Sequence, residues 1–255
     1  MYASARTGLG VHDLKERLGA FAKQVKKEKI LCSDLFEAGD LVVLVMPIDE
    51  SAPKGRLILP QQLTLRDILD HHGIPVCCQD TELKTTLAAL GKKPALVITD
   101  SQVFQKVSAD TPEDIPLTSF SILMARYKGE LATLVQGAEA LSHLTHGDRV
   151  LISEGCTRHR QCNDIGTVKI PGLIRKYSGA EPEFSFTSGG EFPADLSEYR
   201  VVVHCGGCML NETEMKNRMR LCAEAGVPMV NYGVALAAMN GILERSLLPF
   251  AASDR

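Results

Sequence analysis

His204-Cys205-Gly206-Gly207-Cys208 sets two thiols three residues apart, and a third, Cys156, lies about fifty residues upstream in Glu154-Gly155-Cys156-Thr157-Arg158-His159. Thiols so spaced can cycle as a redox pair, close a zinc site or anchor an iron–sulfur cluster. The redox reading uses Cys205 and Cys208 alone, and it expects the pair in the first turn of a helix, which this segment does not resemble. A zinc site could draw on Cys156, His159, Cys205 and Cys208, an acceptable Cys3His set. A cluster would use Cys156, Cys205 and Cys208, with Gly206 and Gly207 letting the backbone turn tightly and aim N–H groups at sulfur. Residue types and spacing leave zinc and a cluster level.

The elements around these residues decide whether they can meet. Val150-Leu151-Ile152-Ser153 and Val201-Val202-Val203 are apolar runs of strand type, and each leads directly into a cysteine segment. In an open parallel sheet, ligands bind outside the carboxyl ends of the strands, so both loops should face one crevice. Leu41–Met46, Val76–Cys78, Ala95–Thr99, Phe184–Thr187 and Val227–Val230 read as further strands. Helices of roughly ten residues separate them, the βαβ pattern of a parallel sheet. Thr64 and Asp67 suggest a capping box for a helix running to His72, and Asn211 with Glu214 suggests a second. Leu131, Leu134, Val135, Ala138, Leu141 and Leu144 mark an amphipathic helix. The expected fold is therefore α/β: two consecutive parallel-sheet units, residues 33–116 and 117–255, after a short helical segment, residues 1–32. Thr111–Pro116, with two prolines and two acids, reads as the linker between them. In the first segment, Val11, Leu14, Leu18, Phe21 and Val25 predict a helix with one buried stripe.

Composition excludes several classes. A net charge of −3 with interspersed signs offers no basic face to nucleic acid or an anionic membrane. The longest apolar run, Leu41–Met46, is too short to span a bilayer, and the N-terminus lacks signal-peptide character. The expected compartment is the reducing cytoplasm, where eight cysteines point to metal, redox chemistry or core packing rather than disulfides.

From about Gly39 to Phe250 the chain resembles the C-terminal two-thirds of HydF, the maturation GTPase and scaffold of FeFe-hydrogenase. The family signature is CxH, a spacer of about fifty residues, then HCxxC; Cys156 opens the first part and His204-Cys205-x-x-Cys208 completes the second. Cys162-Asn163-Asp164-Ile165-Gly166-Thr167-Val168-Lys169-Ile170-Pro171 and Asn231-Tyr232-Gly233-Val234 also resemble the family. The resemblance selects the cluster: a 4Fe-4S centre on Cys156, Cys205 and Cys208, in a scaffold that carries the diiron precursor of the hydrogenase active site and hands it to apo-hydrogenase. It further implies a homodimer, formed through the unit at residues 33–116, and radical-SAM maturases as partners. Two departures stand out. The family histidine two residues after the first cysteine is Arg158 here, and there is no GxxxxGK[ST] phosphate loop. In residues 1–32, Ser4-Ala5 and the following helix resemble only the tail end of the family's GTP-binding domain, its guanine-contacting loop and last helix, so neither GTP hydrolysis nor other enzyme chemistry is expected.

Three cysteines leave one iron of four without a thiolate. His204, as an exchangeable or hydrogen-bonding neighbour, is the first weak donor to consider, with His159, Glu154 and Asp164 as others. Arg158 and Arg160 could hold an anionic diiron unit. Cys162 shares the loop of Cys156. Cys32, Cys77, Cys78 and Cys222 read as packing residues, and His71, His72, His143 and His146 as helix-end caps.

Overall fold

The computed structural model describes residues 2–25, 29–48, 57–157 and 164–253. The chain divides into two units, Met1–Ile30 and Leu31–Arg255. The first holds one helix, α1 (Val11–Val25), entered through a turn in which Gly8 and Gly10 take left-handed conformations and Gly8 N donates to Ser4 O at 2.9 Å. The stripe expected to be buried is open at Leu14 and Leu18, because among the described residues this unit has no second element for it to cover.

The second unit contains two four-stranded sheets, both wholly parallel. In the first, β1 (Leu41–Val45), β2 (Ile74–Cys78), β3 (Leu96–Thr99) and β4 (Leu117–Ser119) lie in the order β2-β1-β3-β4. In the second, β5 (Arg149–Glu154), β6 (Glu183–Ser188), β7 (Val201–His204) and β8 (Met229–Asn231) lie in the order β6-β5-β7-β8. The central strands are buried on both faces, as their unbroken Val, Leu and Ile runs require. Helices α2 (Leu59–Asp70), α3 (Leu83–Ala89) and α4 (Phe104–Asp110) connect the first sheet. Next, α5 (Phe120–Lys128) and α6 (Leu131–Glu139) bridge to the second. There α7 (Ile170–Ser178) and α8 (Glu212–Glu224) make the crossovers, followed by α9 (Tyr232–Met239) and α10 (Leu243–Ser253).

Three expectations shift. The reading of Thr111–Pro116 as a linker does not hold: Thr111 and Ile115 are buried, and the chain runs straight into β4, which pairs with β3. A boundary at 116/117 thus falls within the first sheet's last connection. Helix α2 begins at Leu59 instead of Thr64, with Pro60 in its first turn and Ile58 N donating to Gln61 Oε1 at 3.1 Å. Thr64 lies buried inside the helix, its hydroxyl without a hydrogen-bond partner among the described residues. Finally, the two sheets do not keep separate cores. Val43, Val45 and Val97 share one apolar cluster with Val150, Ile152 and Val203. The final helix, α10, packs back on the first sheet, where Arg245 donates to Ser108 O, Thr111 O and Pro112 O at 2.7–2.8 Å.

Candidate metal centre

In the second sheet the chain passes from β5 outward to β6, then returns to the far side of β5 for β7 and continues to β8. The strand order therefore reverses between β5 and β7, and such a switch point opens a crevice at the carboxyl ends of the two strands. Cys156 follows β5 by two residues and Cys205 follows β7 by one. The strands are in register there, Ser153 against His204, and Cys205 N donates to Ser153 O at 2.9 Å. Both cysteine segments therefore leave the sheet at the same edge.

Cys205 is the junction. Its sulfur accepts from Gly155 N at 3.0 Å, across the strand boundary, and from Gly207 N at 3.4 Å within the CxxC turn. A side chain at either donor position would force a neighbouring side chain to move. A Cβ on Gly155 would fall 2.7 Å from Leu210, and one on Gly207 would fall 2.5 Å from Met215, where φ is also +60°. Cys208 sits beside this pair. Burial, then the neighbouring Cys205 and Cys156, pushes the Cys208 thiol above its ordinary value, with Lys128 opposing. All three thiols are half-buried. Among the described residues no three His, Cys, Asp or Glu side chains converge tightly enough to grip a single ion.

Beneath the cysteines lies a buried polar network that spacing did not reveal. His204 is fully buried, with Nδ1 2.7 Å from Cys205 O and Nε2 3.0 Å from Arg218 Nη1. A carbonyl can only accept, so Nδ1 carries the proton and Nε2 accepts from the guanidinium. Desolvation holds the ring neutral, down to about 4. Both ring nitrogens are occupied, so the geometry favours His204 as a support of the Cys205 carbonyl over an exchangeable ligand. Arg218, wholly buried, also donates to Gly189 O at 2.8 Å and Glu214 Oε1 at 2.8 Å, and its guanidinium lies 4.9 Å from the Phe192 ring centroid. No spacing rule would single out an arginine in the polar run of α8.

The other weak donors have structural work. Glu154 is buried with Tyr232 OH 3.3 Å from its Oε1. Asp164 Oδ2 accepts from Gly166 N, Thr167 N and Thr167 Oγ1 at 2.9–3.0 Å, capping the π-helical turn at Ile165–Lys169. His159, Arg158, Arg160 and Cys162 lie outside the described residues. Asn211 caps α8 as expected, through Glu214 N at 2.8 Å. Glu212 and Glu214 complement the positive end of that helix. Cys32 and Cys222 are buried packing residues, while Cys77 is exposed on the edge strand β2. His71 ends α2, its Nδ1 2.8 Å from Asp67 O, and His72 adopts a left-handed φ of 62° just beyond.

Residues 31–129 match the hydrogen maturase F dimerization domain, and residues 132–249 match the hydrogen maturase F tetramerization domain. The chain belongs to the hydrogen maturase F family. Membership places its role in hydrogenase maturation, and both matched segments are self-association domains. The second extends the expected dimer, since the cysteine-bearing sheet lies in a segment named for tetramers. No curated protein matches. Among solved structures, one described as "XylFII molecule" aligns over 85% of this chain and 94% of its own at 11% identity, with a TM-score of 0.27, too low to support an argument. No helix among the described residues is long and apolar enough to cross a membrane.

Proposed function

We propose that this maturase chain is a scaffold and carrier that holds a 4Fe-4S cluster on Cys156, Cys205 and Cys208. The observation that carries the reading is Cys205: a sulfur at the switch point of a parallel sheet, with two glycine amides on it and two further thiols beside it. The donor set fits the group. Thiolates are the usual ligands of iron–sulfur clusters, and N–H···S bonds stabilise their charge and tune the potential. When bound, such a cluster supplies an iron without a thiolate, at which a second metal unit could dock. The chain's residues contribute the rest: Gly155 and Gly207 amides offset thiolate charge, and His204 and Arg218 fix the Cys205 backbone. The cargo on this reading is the diiron precursor of the FeFe-hydrogenase active site, passed to apo-hydrogenase in the cytoplasm, with radical-SAM maturases as its suppliers. The protein itself makes and breaks no covalent bond in the cargo.

The deciding experiment is anaerobic purification with iron, sulfide and zinc assayed together, alongside visible and EPR spectra. About four irons and four sulfides per chain with a reducible chromophore is the expected result. A colourless, redox-silent protein carrying stoichiometric zinc would replace this reading with a structural zinc site. Reversible Cys205–Cys208 oxidation that ignores Cys156 would replace it with a thiol oxidoreductase.

A further inference from the structure

Helix α5 lies in the segment matched by the dimerization domain, yet its last residue reaches the cysteine loop of the other domain. Lys128 Nζ lies 3.0 Å from Gly207 O, 2.7 Å from Cys208 O and 2.6 Å from Leu210 O. An ammonium has three N–H donors and no acceptor, and three backbone carbonyls of one turn lie within reach of this one. The other end of the helix is fastened to the same sheet. Ser121 O accepts from Asn231 Nδ2 at 2.9 Å, and Ser121 Oγ accepts from Gly233 N at 3.1 Å. A Cβ on Gly206 would lie 3.6 Å from that same Oγ. Arg126, between these ends, pairs with Asp34 before the first sheet. One nine-residue helix thus grips both the first sheet's entry segment and the turn that carries Cys205 and Cys208.

We propose that Lys128 is a positioning residue for the metal site, holding the Gly207–Leu210 turn so that its carbonyls face α5 while the Gly207 amide faces the Cys205 sulfur. Gly207 shows the arrangement directly: its carbonyl meets Lys128 while its N–H meets Cys205 Sγ at 3.4 Å. A turn whose carbonyls gather on one cation leaves the opposite side to N–H groups, the concavity that favours anionic ligands. Lys128 also places a positive charge beside the thiols from outside the loop, and it ties their orientation to the self-association domain. The inference rests on the cluster reading above and adds to it the residue that shapes the site.

The test uses full-length protein carrying Lys128→Met, which keeps the length and loses the donors, and Lys128→Arg, which keeps charge and donors. In metal-free protein, amides of residues 206–210 should exchange with deuterium at least about tenfold faster in Lys128→Met, with the strands unchanged. After reconstitution, the cluster's reduction potential should fall and its EPR g-values shift, and Lys128→Arg should restore most of both. Wild-type exchange and wild-type potential in Lys128→Met would overturn the proposal. If Lys128→Met does not fold, Lys128→Gln against Lys128→Arg decides: potentials that differ support a charge held at this point, and identical potentials overturn it. Wild-type protein that takes up no iron would fail the cluster reading alone, because the exchange measurement still judges Lys128.

Discussion

Gly155 N points at Cys205 Sγ from 3.0 Å away, so the loop after β5 and the loop after β7 meet at a sulfur atom. Cysteines about fifty residues apart in sequence are thereby neighbours, and each should matter to metal loading. Single Cys156→Ser, Cys205→Ser or Cys208→Ser should lower iron retained after anaerobic reconstitution several-fold, since a hard hydroxyl replaces a soft thiolate. Cys222→Ala, in the core on α8, should cost some stability and leave the visible spectrum intact. Full iron content in Cys156→Ser would dissolve the cross-strand site.

Arg218 links His204 Nε2 to Gly189 O and Glu214, and it is wholly buried. Arg218→Leu leaves the His204 ring nitrogen and Gly189 O without a donor, so an apo-protein destabilisation of about 2–4 kcal/mol is expected from urea unfolding. Arg218→Lys should recover little, because a point charge cannot reproduce a fork that reaches His204, Gly189 and Glu214 together. A loss below about 0.5 kcal/mol in Arg218→Leu would show that the network is not under load.

Much of this was legible in the residues. Unbroken apolar runs located β1, β5 and β7, and the strand-end rule brought Cys156 to Cys205 and Cys208. Asn211 announced α8. What escaped depends on partners distant in sequence. β4 is three residues long, preceded by Pro112 and Pro116, and owes its burial partly to α10, more than a hundred residues later. Lys128 at a helix C-terminus reads as a solvated complement to the dipole, and its three carbonyl partners are some eighty residues away. Arg218 sits between Lys216 and Arg220 on a polar helix, and no local pattern distinguishes it from them. His204 was noticed as a donor, but only tertiary contacts show which way its nitrogens face.

Thiol chemistry in the metal-free protein should separate packing cysteines from accessible ones. Burial pushes the Cys222 thiol up to about 12, and burial with the Asp67 carboxylate raises Cys32 further. Both should resist iodoacetamide at about pH 8 until the protein unfolds. Cys77 is exposed on β2; its thiol is raised by partial burial, which slows alkylation without preventing it. Mass spectrometry of a time course should show Cys77 modified while Cys32 and Cys222 remain free thiols. Early labelling of Cys222 would mean that α8 opens readily from its sheet.

The approach of α6 to β8 should be intolerant of a single methyl. A Cβ on Gly137 would lie 2.0 Å from Met229 O, and that atom belongs to a strand of the cysteine-bearing sheet. Backbone cannot yield as a flexible side chain does, so Gly137→Ala should destabilise by about 3 kcal/mol or fail to fold. Gly172→Ala in α7 is the control: nothing lies within 4 Å, and helix propensity predicts a gain of up to about 1 kcal/mol. Equal melting temperatures for the two variants would mean that α6 rides farther from β8.

Self-association should be a property of this chain, because two consecutive segments match a dimerization and a tetramerization domain. Among the described residues each sheet ends in edge strands paired on one side only, β2 and β4 in one, β6 and β8 in the other. An open edge presents unpaired backbone groups that a second copy can satisfy. β2 is the most open of the first sheet's strands, with Ile74 and Cys77 exposed. Light scattering should therefore give a mass that is a multiple of one 27.7 kDa chain. Closed symmetry makes the dimer the first step and a dimer of dimers the second. Lys at Ile74 and at Cys77, singly and together, distinguishes the routes. Loss of all association in Ile74→Lys/Cys77→Lys would assign the first step to β2. A surviving dimer would assign it elsewhere, and a wild-type protein of monomer mass at every concentration would sink the prediction.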